Sequence, residues 1–150
     1  MALDVQQREV EGIVILELRG RLVVGAESTD FRGRIAKLIS AERKSIILGM
    51  KHVDFVDSTG LGSLVVAHTQ LQKADGSMKL LNVSKRNVQL LVLTKLSTIF
   101  EMFDDEQAAI NSFFPDRERR PFDILEFIRE QENEKQPFGA NEGTGLKTKS

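Results

Sequence analysis

Residues 53 to 68 read VDFVDSTGLGSLVVAH, and they set a carboxylate, two hydroxyls and two glycines between two apolar runs. Asp57, Ser58 and Thr59 stand where a strand should hand over to a helix. In an α/β domain, the loop leaving a strand's carboxyl end is where ligands and functional groups collect. The first amides of a helix lack partners inside the helix, and its dipole is positive there. A phosphate on Ser58 would bring about −1.5 to −2 charges and three acceptor oxygens to that spot. Gly60 and Gly62 have no Cβ, so a second chain or an anion can come close to the backbone. Ser58 is therefore suited to act as a charge switch. The plainer reading of the same residues is an N-cap, with glycines that let the helix pack tightly.

The surrounding elements must hold this seam in place. LDVQQREV and GIVILELRG read as two strands joined through Glu11-Gly12. In the second, Ile13, Val14, Ile15, Leu16 and Leu18 form a nearly unbroken apolar run, as in a strand covered on both faces. GRLVVGAEST reads as a loop. STDFRGRIAKLISAER is then a helix with Phe31, Ile35, Leu38 and Ile39 inward and Ser28 or Thr29 as its cap. KSIILGM is a third strand. The helix after the seam shares Leu61, Leu64, Val65, His68 and Leu71 on one face, and ADGS ends it. MKLLNV is a fourth strand. SKRNVQLLVLTKL is a helix capped by Ser84, with Val88, Leu91, Val92 and Leu96 inward. STIFEMF reads as a short fifth strand, and DDEQAAINSF as a fourth helix with acids in its first turn. Alternating strands and helices after residue 45 imply parallel neighbours and crossover helices, opened by an N-terminal hairpin.

The 150 residues suffice for about one domain. All three prolines fall at or after Pro115, where the composition changes. We read residues 1–114 as the domain and 115–136 as a linker plus an amphipathic helix. That helix would carry Phe122, Leu125 and Ile128 on one side, with Asp123 and Glu126 as its cap signature. Residues 137–150 have the composition of a disordered tail. The chain has no cysteine, which excludes disulfides and thiolate metal sites. A net charge of −1 offers no basic field for nucleic acid or an anionic membrane. The longest uncharged apolar run is too short to span a bilayer, and no signal-like segment opens the chain, so a cytoplasmic protein is expected.

VDFVDSTGLGSL closely resembles the signature of the STAS domain family, the anti-sigma factor antagonists. In that signature an apolar strand leads to Asp-Ser-(Ser/Thr)-Gly-Leu-(Gly/Ala). GIVILELRGRL is similar to the family's second strand and Gly-x-Leu loop. SIILGMKHVDFVDSTGL is similar to its third strand and switch loop. The closing half of the fold resembles the stretch from Gly76 to Phe113. The resemblance implies an α/β fold with a four- to five-stranded mixed sheet and about four helices, here with a C-terminal helical extension. It implies binding, in the unphosphorylated state, to an anti-sigma factor that is often a GHKL-type serine kinase. Ser58 would be the phosphoacceptor, a serine phosphatase would reset it, and Asp57, Thr59, Gly60, Leu61 and Gly62 would shape the contact. Neither catalysis nor a cofactor is implied, and a homodimer is compatible with the reading.

Two positions depart from the pattern. Val23 follows Gly-x-Leu, where many members carry an acid facing the switch serine, and Gly49 stands where many carry Asp or Asn. They give weight to an alternative, a scaffold or sensory-complex module without regulated phosphorylation. Nucleotide or small-anion binding near Gly60 is a third reading, although the loop lacks the longer glycine pattern and Lys of a P-loop. A serine hydrolase fits least. There is no Gly-x-Ser-x-Gly elbow, and His68 lies roughly 15 Å along a rigid helix from Ser58. His68 itself reads as a core-edge histidine with a satisfied nitrogen, and His52 as a loop residue. The acids from Glu101 to Glu106 could gather a cation, but we read them as acids favoured at a helix start. Arg117, Arg119 and Arg120 could meet an acidic partner, or simply be solvated.

Overall fold

A computed structural model describes residues 3–117 and 124–135. Strand β1 (Asp4–Val10) turns through Glu11 and Gly12 into β2 (Ile13–Leu22). Both turn residues have positive φ, 54° and 82°, as a two-residue hairpin loop requires. Then follow α1 (Ala26–Ser40), β3 (Ser45–Val56), α2 (Ser58–Lys73), β4 (Ser77–Leu81) and α3 (Lys85–Leu93). A single 3-10 turn (Leu96–Thr98) leads to β5 (Met102–Phe103), α4 (Glu106–Asn111) and α5 (Ile124–Lys135). The sheet order is β1-β2-β3-β4-β5, antiparallel at the hairpin and parallel from β2 onward. This is the mixed α/β sheet expected.

Both faces of the sheet are covered, which explains the unbroken apolar run of β2. Val14, Leu16 and Leu18 point into the larger core with Phe31 and Ile35 of α1, Leu64 and Leu71 of α2, and Val88 and Leu91 of α3. Ile13 and Ile15 point the other way, into a smaller core closed by Ala108, Ala109 and Ile110 of α4. One of these side chains, fully buried, stabilises the fold by about 1.5–3 kcal/mol.

Several boundaries differ from expectation. GRL belongs to β2, not to a loop. Helix α1 starts at Ala26 behind Gly25 and has no side-chain cap; Ser28 is buried and donates its hydroxyl to the Val23 carbonyl at 2.6 Å. Thr29 hydrogen-bonds back to the Gly25 carbonyl from within the helix. Strand β3 runs on to Val56. Ser84 does cap α3 through the Asn87 amide, but that helix ends at Leu93, short of Leu96. Ser97 and Thr98 lie in the 3-10 turn, so β5 keeps only Met102 and Phe103.

Helix α5 meets the domain through a different stripe from the one expected. Ile124 and Phe127 pack against the larger core, whereas Leu125 is 74% exposed. Gln89 of α3 donates to Gln131 of α5. Phe122, Asp123, Arg119, Arg120 and the segment from 137 onward lie outside the described residues. Among the described residues, no helix is long and apolar enough to cross a membrane.

Candidate functional site

The seam is built by the far half of β3. Its pairing with β4 stops at Gly49 opposite Leu81, and beyond that point it pairs with β2 alone. Two register shifts interrupt that last stretch, between Glu17 and Arg19 and between Gly20 and Arg21. At each shift β3 takes one residue more than β2, which is a β-bulge, and the alternation of faces resets. Met50, Val53 and Val56 therefore all turn into the larger core, with exposed pairs between them. Asn87, buried in the first turn of α3, donates its amide to the Val53 carbonyl at 3.2 Å and so secures the edge that β4 has left.

Asp57 follows directly, and it, not Ser58 or Thr59, is the N-cap of α2. One carboxylate oxygen accepts from the Gly60 amide at 2.8 Å, and the other accepts from the Val24 amide at 3.0 Å. The carboxylate thus clamps the β2–α1 loop to the start of α2. The Asp57 amide adds a third tie by donating to the Leu22 carbonyl at 3.2 Å. These backbone donors, Gly60 first and then Val24, with Thr59 also contributing, hold the Asp57 carboxyl below the usual carboxylate range. The helix-start amides expected to face Ser58 are turned toward Asp57 instead. An incoming anion finds that end of the helix already supplied with a negative charge.

Ser58 and Thr59 are exposed on the first turn of α2. Among the described residues, nothing hydrogen-bonds the Ser58 hydroxyl. The two glycines of the motif part company. Gly60 is buried, and a Cβ there would sit 1.9 Å from the Leu22 carbonyl oxygen, so the helix can pack on β2 only without a side chain. Gly62 is exposed with open space around it. Leu61 is half-buried against the larger core.

Three neighbours escaped the sequence reading. Val24 is 67% exposed beside the Asp57 clamp, Phe55 is 38% exposed, and the Arg21 guanidinium lies 5.6 Å from the Phe55 ring centre. In the sequence Val24 and Phe55 continue apolar runs and look like core; only the bulges and the clamp turn them outward. Asn87 was legible as a polar residue one turn before Leu91 on the inward face of α3.

The remaining candidates lie elsewhere. Val23 gives its carbonyl to Ser28. A Cβ at Gly49 would meet the Glu17 carboxylate at 1.7 Å, so Glu17 fills the space beside that position. His52 lies in β3, not a loop, and is exposed. His68 packs edge-on against Phe100 with ring centres 5.3 Å apart, and its buried Nδ1 has no partner among the described residues, contrary to the satisfied nitrogen expected. The acids near residue 101 work separately: Glu101 pairs with buried Lys79 at 2.7 Å, Asp105 caps α4, and Glu106 pairs with Arg8. Arg117 pairs with Glu11 at 2.8 Å and stacks over Phe114. No group of three or more metal-ligating side chains gathers among the described residues.

Comparison with known proteins adds to this geometry. The family model of the STAS domain matches residues 4–109. The anti-sigma-B factor antagonist of Bacillus subtilis is 40% identical over 53 residues, a match covering 35% of this chain and 49%, about half, of that relative. The anti-sigma F factor antagonist of Paenibacillus polymyxa is 26% identical over 112 residues, 73% of this chain and 94% of that one. The anti-sigma factor antagonist SpoIIAA shares the fold in both solved forms. The unphosphorylated one has a TM-score of 0.57 at 22% identity, covering 76% of this chain and 99% of that one. The phosphorylated one, from Bacillus, has a TM-score of 0.60 at 23% identity, covering 73% and 99%.

Proposed function

The chain belongs to the STAS domain family, and from that premise we propose that it is an anti-sigma factor antagonist switched by phosphorylation of Ser58. The observation that carries the reading is the division of labour at the start of α2. Asp57 is spent on holding two loops together, while the neighbouring Ser58 hydroxyl is exposed and, among the described residues, unbonded. A fold-holding carboxylate beside an idle hydroxyl suits a modification that changes charge without dismantling the helix.

In the unmodified state an anti-sigma factor covers this end of α2. It contacts Ser58, Thr59, Leu61 and Gly62, and Val24 and Phe55 supply apolar contact on either side. Gly60 shapes the surface from beneath. A partner that is a GHKL-type serine kinase brings ATP. The Ser58 oxygen attacks the γ-phosphorus, its proton passes to a base on the kinase, and ADP leaves. The phosphate then stands beside an ionised Asp57 in an interface that must exclude water, and like-charge repulsion with desolvation expels the partner. A serine phosphatase returns the hydroxyl by hydrolysis. The protein is a cytoplasmic regulator rather than an enzyme.

The test is capture of partners from the source cell with wild type, Ser58→Ala and Ser58→Asp, followed by incubation of the captured kinase with ATP and mapping of the phosphate. Wild type and Ser58→Ala should retain the partner, Ser58→Asp should lose it, and the phosphate should map to Ser58. Equal affinity of Ser58→Asp for the same partner overturns the switch. If binding is intact and no residue is phosphorylated, the chain is a scaffold module, the outcome that Val23 would favour.

A further inference from the structure

Among the described residues the first strand of the sheet has no neighbour on its outer side, and it is poorly defended. Strand β1 runs from Asp4 to Val10 in unbroken register with β2, without a proline and without a bulge. Edges of this kind are templates for another strand, and proteins that avoid such pairing shorten, twist or charge them. Two of its three charged side chains are turned to intramolecular partners, Arg8 to Glu106 and Glu9 to Arg43, and Asp4 is exposed. Beside the edge runs an open groove of about 760 Å³, with Leu3, Val5, Phe31 and Leu38 among its lining residues.

A third feature lies on the helix across that groove. Gly33 is in the middle of α1, exposed, with ordinary helical backbone and nothing within 4 Å of where its Cβ would be. A glycine there weakens the helix by about 1 kcal/mol against alanine. Nothing among the described residues requires it. A helix from another molecule, crossing closely at that point, would.

We infer that β1 and α1 form the face of a symmetric homodimer, in which the two β1 strands pair antiparallel and the two α1 helices cross at Gly33. The charges select the register. A two-fold axis normal to the sheet must pair residues on the same face, so it lies midway between the two copies of one residue of β1. Centred on Arg8 it stacks like charges, and centred on Gln7 it pairs no opposite charges. Centred on Gln6 it sets Asp4 of each copy opposite Arg8 of the other, so that each guanidinium would bridge its own Glu106 and the Asp4 of the second copy. The same axis lays the Asp30 end of one α1 against the Lys37 end of the other. Helix α1 stands between this edge and α2, so Ser58 stays open in both copies. The inference does not rest on the switch, and either can fail alone.

The chain has no cysteine, so single substitutions report the register directly. Sedimentation of the full chain should show a concentration-dependent dimer. Under mild oxidation Gln6→Cys, on the axis, should form a disulfide-linked dimer, because directly opposed residues sit about 4.5–5.5 Å apart at Cα, within disulfide reach. Gln7→Cys, on the other face and off the axis, should not. Gly33→Lys should keep the fold, since its side chain has free space, and should raise the dimer dissociation constant by about tenfold or more. A wild type that sediments as a monomer at the highest concentration it tolerates overturns the proposal and leaves the edge to another protein's strand. Equal cross-linking of the two cysteine variants, or an unchanged dissociation constant for Gly33→Lys, also overturns it.

Discussion

From Ile46 to Gly49, strand β3 is flanked by β2 and β4 and buried on both faces; from Met50 to Val56 it is paired on one side, bulged and half in solvent. Its first half is held by hydrophobic burial, which is indifferent to direction and sets the fold. Its second half is held by directional contacts, the Asn87 amide on Val53 and the Asp57 carboxylate on Gly60 and Val24, and these aim the seam. The same strand thus carries the fold and presents the site. Perturbing each half should damage a different property.

The largest effect is expected in the covered half. Leu48→Ala opens a cavity in a fully buried position and should cost about 2–5 kcal/mol of stability in denaturant titration. A loss near zero would mean that the first half does not anchor the fold. At the seam that the exposed half presents, Ser58→Asp should leave stability within about 0.5 kcal/mol while weakening partner binding on the order of a hundredfold, ~2.7 kcal/mol. Calorimetry on the isolated partner pair separates the two quantities.

The motif's glycines sharpen the contrast within three residues. Gly60→Ala places a methyl against the Leu22 backbone and should destabilise by about 1–3 kcal/mol. Gly62→Ala meets nothing and should stabilise by up to about 1 kcal/mol through helix propensity. Equal melting temperatures for the two variants would contradict the buried and exposed assignment. The smallest effect concerns pH. The Asp57 carboxyl is depressed in the folded state, so its clamp contributes fully above the ordinary carboxylate range and is lost as pH falls through its folded value. Asp57→Asn should be less stable than wild type at neutral pH, and the gap should narrow on acidification.

Much of this architecture was legible in the residues. The apolar run of β2, the Glu11-Gly12 turn, the Ser84 cap and the strand–helix alternation all express short-range rules, namely periodicity, turn chemistry and capping. The ends of elements were less legible. KHVDFV alternates with neither strand nor helix period, because two bulges reset its faces, and bulges depend on the pairing of β2 with β3. Ser28 looks like a cap but donates to the Val23 carbonyl inside a helix that starts earlier. Leu125 looks as apolar as Ile124 and Phe127, and only the docking of α5 decides which of them is covered.

By itself the sequence determined that residues 53–68 join a strand to a helix through a hydroxyl-bearing turn, because composition and local spacing are enough to place such a junction. Tertiary structure alone decided which residue caps the helix, which glycine is spent on packing and which side chains face outward. Those assignments turn on contacts from Leu22 and Val24, more than thirty positions away in the chain, that no local pattern can encode.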